Sequence, residues 1–297
     1  MKNIGGQAVL EGVMMKSPLG WSVAVRGPKG EINFKTEKIR KFHWFFKLPV
    51  IRCVVALFHA LFIGVKAIEF SGRVVSKEEE KPLSGKSIGI SIGLAVILAV
   101  ALFIILPLYL TKLTGNFIHS VSDNAFMFNL VDGLLRVTIF LFYVFAIGFW
   151  KEMRRVYEYH GAEHKVIYAY EAEEEMTVEN AKKYKPYHPR CGTSFLLIVM
   201  IISIIVFSFI PQEWSFVDKA VSRLILIPVI AGISYEMLRF SARMKDHTIM
   251  GLIALPGLLL QRLTVREPDN SQIEVAIAAL QEVLKLNESS GEINKQC

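Results

Sequence analysis

The sequence predicts a mostly α-helical polytopic membrane protein with a small β-rich segment at its N-terminus. Three observations carry that prediction. Apolar residues make up 53% of the 297 residues, and they come in blocks, several of which reach the roughly 17–25 residues a helix needs to cross a bilayer. Lys and Arg alternate from loop to loop, abundant in 1–42, 71–87, 151–192 and 239–248 but limited to one Lys each in 111–132 and 212–222. Between two apolar blocks lies a polar stretch rich in His, Cys and Glu, Tyr157 to Thr193.

Residues 1–42 read as a cytoplasmic, β-rich segment. Gly5 to Pro18 mixes glycines with a short apolar run and suggests one strand bounded by turns. Trp21 to Thr36 alternates on both sides of Gly27-Pro28-Lys29-Gly30, the pattern of a β-hairpin. No apolar run leads the sequence, so no cleavable signal peptide is expected. Residues 43–70 are apolar but interrupted by Pro49, Arg52, His59 and Lys66. A charge at the bilayer centre costs about 3 kcal/mol, so this segment reads as interfacial or re-entrant. Residues 71–87 read as a solvated loop.

The first transmembrane hairpin is expected over 88–150, with crossings at 88–110 and 133–150 and an aromatic anchor at Phe149-Trp150. From Lys151 the helix is expected to continue unbroken through His160 and His164 to about Glu174, with only Gly161 against it. The second hairpin occupies 193–240, with crossings at 194–210 and 223–240. In the segment 249–263 the apolar run around Pro256 covers 249–261, and about thirteen helical residues rise only about 20 Å, so it too reads as re-entrant or interfacial. In the tail, 268–297, Ser271 and Glu274 have capping-box spacing. Ile273, Ile277, Leu280 and Leu284 then form one apolar face of an amphipathic helix.

The Lys/Arg pattern sets an orientation. Cytoplasmic loops collect positive charge, which places both termini and residues 151–192 on the cytoplasmic side of the cell membrane, with four crossings. The net charge of +7 belongs to those loops, so no specific nucleic-acid recognition is expected. The partners expected are the lipid bilayer and, through the basic faces, a ribosome or the insertion machinery. Three cysteines, one in an apolar run and one at the last position, give no disulfide framework.

The chemistry concentrates in residues 151–192. His160 and His164 are one helical turn apart and share a face, close enough for two imidazoles to reach one metal ion. Glu163 beside them completes His-x-x-Glu-His, the order found in one class of metallohydrolases. His188 and Cys191 follow, spaced for a tight turn with Pro189 and Gly192. A His/Cys donor set suits zinc better than magnesium or calcium. Four protein ligands make a closed, structural site; three and a water make a catalytic one, with Glu163 as general base. Glu171, two turns beyond His164, and Glu11 or Glu236 are acidic alternatives for a third ligand. The rival reading is an ordinary network of His, Tyr and Glu hydrogen bonds. No nucleophile elbow and no Walker-type phosphate loop occurs.

Four motifs in this order, GGQAVLEGVMMKSP, YHGAEHKVIYAYE, HPRCGTSFLL and LTVREPDNSQIEVAIAAL, resemble the bacterial YqhQ-like membrane proteins. The resemblance spans nearly the whole chain. That family is a domain family of unknown function commonly described as a predicted metal-dependent enzyme. The resemblance implies a site made by His160, Glu163, His164, His188 and Cys191, approached by Gln7 and Glu11. The expectation is a membrane-embedded zinc hydrolase acting on a peptide or a lipid-linked substrate. The alternative is a non-enzymatic scaffold with a structural metal site.

Overall fold

A computed structural model describes residues 4–39, 49–76, 85–189, 191–211, 213–243 and 248–293. Four strands, β1 (Gly5–Val9), β2 (Gly12–Lys16), β3 (Gly20–Arg26) and β4 (Ile32–Lys38), form one antiparallel sheet in chain order. The helices are α1 (Pro49–Ser76), α2 (Gly85–Val100), α3 (Leu106–Phe117), α4 (His119–Asp123), α5 (Ala125–Ile147), α6 (Lys151–Glu171), α7 (Val178–Lys182), α8 (Thr193–Phe207), α9 (Phe216–Arg243), α10 (Thr248–Thr264) and α11 (Asn270–Ile293). A π-helical turn, Ala101–Ile105, joins α2 to α3; Pro107 follows it, and a proline ring cannot sit against an unmodified α-helical turn.

The chain divides into two units: 1–82 with 147–191 and 261–297, and 83–146 with 192–260. Arg40 and Lys41 of the basic cluster, Lys245, Cys297, and the side chains of Arg52, Cys53 and Arg243 lie outside the described residues.

The first unit is a sandwich of three layers. Strands β2 and β3 are buried on both faces, and their alternation divides two cores. Val13, Met15 and Ala24 face α6 and α11, joined by Val166, Ile273, Ala276 and Leu280. Met14, Trp21, Val23 and Val25 face the other way, onto Ile63 and Ala67 of α1. The expected hairpin about Gly27 is present, closed by Gly27 N–H donating to Glu31 O at 2.8 Å. The stretch before it is a second hairpin, not one strand: β1 pairs with β2 around Leu10-Glu11. Its turn escapes notice because Glu11, with φ of 50°, occupies the left-handed region usually left to Gly or Asn.

The tail helix forms as expected, with its cap two residues earlier. Asp269 accepts from Gln272 N–H at 2.9 Å, and the Gln272 side chain accepts from Asp269 N–H at 2.9 Å. This reciprocal pair, not Ser271 with Glu274, is the capping box. Glu274 instead pairs with Arg26 of β3 at 2.7 Å. Ile273, Ile277 and Leu280 are buried in the first core, with Leu284 packed at its margin.

The expected unbroken helix from the second apolar block into the His motif is interrupted. Helix α5 stops at Ile147, Trp150 is extended with ψ of 130°, and α6 starts afresh at Lys151. Arg266 donates to the freed carbonyl of Gly148 in the break at 3.2 Å.

In the second unit, helices begin and end farther out than the charge pattern suggested. The segment 111–132, expected as a loop, is largely helical, because α3 runs to Phe117 and α5 starts at Ala125. Asp132 and Arg136 do not end the helix; they are buried and paired at 2.6 Å. Arg223 of α9 joins Asp132 at 2.7 Å, and Ser203 of α8 accepts from Arg136 at 3.0 Å. Among the described residues, three helices are long and apolar enough to cross a membrane: Val55–Ser76, Gly89–Phe117 and Ala125–Ile147. Helix α8 is apolar but shorter.

Candidate metal centre

The site belongs to the first unit and is assembled from α6, the segment 186–191 and the end of α10. Helix α6 presents two stripes. Arg155, Tyr159 and Glu163, at four-residue spacing, face the β1–β2 hairpin. His160, His164 and Tyr168 face the segment that carries Pro186, His188 and Cys191.

His160 Nδ1 lies 3.0 Å from Thr264 O, and its Nε2 lies 3.1 Å from Cys191 Sγ. His164 Nδ1 lies 2.6 Å from Pro186 O. A carbonyl oxygen only accepts, so both rings donate from Nδ1 and, when neutral, keep a lone pair on Nε2. Backbone carbonyls fixing the far nitrogen in this way are the usual support of metal-ligating histidines. The Nε2 of His164 is buried and has no hydrogen-bond partner among the described residues. One ligand atom each from His160, His164 and Cys191 lies within 4.8 Å of the others. Two imidazole nitrogens and a thiol at this separation fit a zinc ion, which those groups favour over hard cations.

His188 is not a member of that trio. Its ring stands beside His164, centroids 5.7 Å apart, and beside Tyr168 at 4.4 Å. Its Nε2 is 3.7 Å from Glu171. The expected tight turn is present, with Cys191 N–H donating to His188 O at 3.2 Å. The turn is held by Gln261 of α10, whose amide both accepts from His188 N–H and donates to His188 O, each at 2.8 Å.

Glu163 is 5% exposed. Burial pushes its carboxyl up to about 7, against the pull of the nearby His160 ring and the Gly6 N–H that donates to it. Its Oε2 is 3.6 Å from His164 Nε2.

Gln7 and Glu11 do not join the trio. Gln7 is on the opposite face of the sheet from Gly6, against Gly64 of α1. Glu11 forms a two-point ion pair with Arg155, and Tyr159 donates to it at 3.4 Å. It ties the hairpin to α6 one turn and more away from the histidines.

Sequence reasoning missed three supporting residues. Gly6 lets Glu163 approach: a Cβ there would sit 2.6 Å from Glu163 Cγ. At Gly161, a Cβ would collide with Arg266 O, so the glycine admits the strand of chain that brings Thr264 O to His160. Gln261 carried no signal beyond being a polar residue in an apolar run. The two glycines were visible, one in Gly5-Gly6 and one inside His-Gly-x-Glu-His, but only as breaks in propensity.

Taken together, these features define a mostly helical chain that has, among the described residues, three helices of membrane-crossing length, a four-stranded sheet, and a largely buried His/Cys trio on α6 and the segment after it. A family model described as "Protein of unknown function (DUF1385)" matches residues 48–286. The chain is also 33% identical over 307 residues to "Uncharacterized protein YqhQ" of Bacillus subtilis (strain 168), across 98% of this chain and 95% of that one. The chain belongs to this DUF1385, YqhQ-like family. No solved structure matches it.

Proposed function

We propose that the chain is a multi-pass protein of the bacterial cytoplasmic membrane with a zinc-dependent hydrolase site facing the cytoplasm. The observation that supports it is the shared orientation of His160 and His164. Both rings spend Nδ1 on a carbonyl, the buried Nε2 of His164 has no hydrogen-bond partner among the described residues, and one ligand atom each of His160, His164 and Cys191 lies within 4.8 Å of the others. A buried polar atom without a partner costs about 1–3 kcal/mol, and a metal ion removes that cost.

In this reading His160, His164 and Cys191 would hold zinc, which would supply Lewis acidity to a water there. Glu163 would be the base beside them, accepting a proton and passing it to the leaving group. Its carboxyl, pushed up to about 7, is matched to proton transfer at neutral pH. Gly6 N–H steadies the carboxylate. His188 and Glu171 stand behind His164 and keep its side of the site packed. The substrate class is a peptide or a lipid-linked molecule hydrolysed at the membrane surface. The topology that accompanies this reading has four crossings and both termini in the cytoplasm, following the distribution of Lys and Arg.

A closed, structural zinc site in a scaffold that contacts a ribosome or the insertion machinery is the second reading. The observation favouring it is burial: His164, Glu163 and Cys191 are 1%, 5% and 7% exposed. The test is elemental analysis of detergent-purified protein beside His164→Ala, followed by X-ray absorption at the zinc edge. Stoichiometric zinc, lost in the variant, with an oxygen donor in the shell supports the hydrolase. A shell completed by a third imidazole selects the scaffold. No zinc after attempted reconstitution removes both.

A further inference from the structure

We infer that α1 does not cross the bilayer but lies along its surface, with one face in the acyl–headgroup boundary and the sheet on its water side. By length and apolarity Val55–Ser76 ranks with the crossing helices. Its packing assigns it otherwise.

Helix α1 has two apolar faces with different neighbours. Ile63 and Ala67 are buried against β-sheet residues Trp21, Val23 and Val25, with Phe70 and Val74 packed at the margin. On the opposite side Phe58, Leu61, Phe62, Val65, Ile68 and Val75 are 36–66% exposed. Their spacing follows one stripe along the helix, parallel to the sheet-facing stripe over the same turns. A continuous exposed stripe with two phenylalanines is far more apolar than water tolerates on a solvated helix.

A crossing orientation would carry the sheet into the hydrocarbon. That sheet is open: β1 and β4 are its edges. Each unpaired edge N–H or C=O left in lipid costs several kcal/mol, which is why open sheet edges do not occur there. Sheet-facing residues begin no later than Ile63, and the helix from Pro49 to Phe62 rises only about 21 Å, short of the roughly 30 Å hydrocarbon core. The one cation in the described middle of α1, Lys66, pairs with Glu37 of β4 at 2.8 Å and lies over the Phe62 ring at 4.8 Å. Its ammonium thus sits between Phe62 of the stripe and Glu37 of the sheet, where a lysine at an interface keeps its charge out of the hydrocarbon. Eight residues separate Ser76 from Gly85 of α2, so the bilayer crossed by the following helix is within a tether of about 30 Å. The occupant of the stripe is therefore lipid. This inference does not depend on zinc or on hydrolysis.

The test uses full-length protein in liposomes of phosphatidylethanolamine and phosphatidylglycerol. A spin-labelled amino acid is introduced by nonsense suppression, which spares Cys191, at Phe58, Leu61, Val65, Ile68 and Val75 in turn. Depth is read from relaxation by oxygen against a water-soluble nickel chelate. We expect all five at one shallow depth, within a few ångström, and a label at Phe34 of β4 fully open to nickel. A monotonic gradient of about 25 Å from Phe58 to Val75 overturns the inference in favour of a crossing helix. Labels open to nickel along the stripe, or shielded from both reagents as a protein partner would shield them, overturn lipid as the occupant. If a label at one position prevents purification, the remaining positions on the stripe still separate a level series from a gradient.

Discussion

The backbone N–H of Gly6 donates to the Glu163 carboxylate, and no side chain fits at position 6 without moving that glutamate. Gly5, its neighbour, has nothing within 4 Å of the place its Cβ would take. Gly6→Ala should therefore destabilise the protein by about 1–3 kcal/mol, the usual cost of overpacking, whereas Gly5→Ala should be near neutral. Chemical denaturation of the two variants side by side checks the difference.

Glu163 also sets a pH dependence in the metal-free protein. Its folded-state carboxyl titrates at about 7 and its ordinary value is 4.5, so between those values the folded state holds a proton that the unfolded state has lost. The Glu163 contribution to the stability of chelator-treated protein should be full below the ordinary value and should be lost as pH rises through the window up to about 7. Glu163→Gln cannot ionise, so the stability difference between the two proteins should change across the same window. Unfolding curves at several pH values, with and without the substitution, read this directly.

For metal content, the geometry separates His188 from the trio. His160→Ala, His164→Ala and Cys191→Ser should each lose stoichiometric zinc, because a three-ligand set tolerates no loss. His188→Ala should keep it, since that ring faces Glu171 and Tyr168. Chelation should lower the melting temperature of the His188 variant and of the unmodified protein alike. Zinc lost equally from all four variants would place His188 among the ligands.

Glu11 does two opposed things. Its backbone is in the left-handed region, and its carboxylate holds Arg155 at two points. Glu11→Ala should lose the ion pair and keep the strain; Glu11→Gly loses the pair and relieves the strain. The glycine variant should be the more stable of the two by about 0.5–1 kcal/mol, as measured by urea unfolding.

Asp132 is the carboxylate that both Arg136 and Arg223 grip, and all three are buried in the second unit. Asp132→Asn leaves two guanidiniums with no anion among the described residues. A loss of about 3–5 kcal/mol is expected, visible as a large drop in detergent melting temperature. Replacing Arg136 and Arg223 by leucine in the same variant should recover part of it.

What the sequence revealed, and what it hid, follows from range. The His-x-x-Glu-His spacing and the His-x-x-Cys turn were legible because they are local: one helical turn and one reverse turn bring those groups together whatever else the chain does. The apolar face of α11 was legible for the same reason. Hidden were the contacts made by distant backbone, such as Thr264 O on His160 and Gln261 on His188, which leave no periodicity behind. The β1–β2 turn was hidden because a glutamate stands where turn chemistry calls for glycine. Asp132 misled in the opposite direction. It fell in the expected loop because a charge read singly looks like an exit from an apolar helix, and its pairing with Arg136 accompanies a helix that runs through it.

The first unit is written in three separate passages of the chain: the sheet and α1 early, α6 midway, the end of α10 and α11 last. A ribosome adding about 5–20 residues per second delivers α11 several seconds after α6 has emerged. During that interval Val166, Ala162 and Met15 await the helix that covers them, and His160 awaits the carbonyl of Thr264. A nascent chain stalled before Thr264 thus offers a bare apolar surface and an imidazole with neither tautomer fixed. Until α11 docks, the chain displays the kind of apolar surface that chaperones bind and proteases cut.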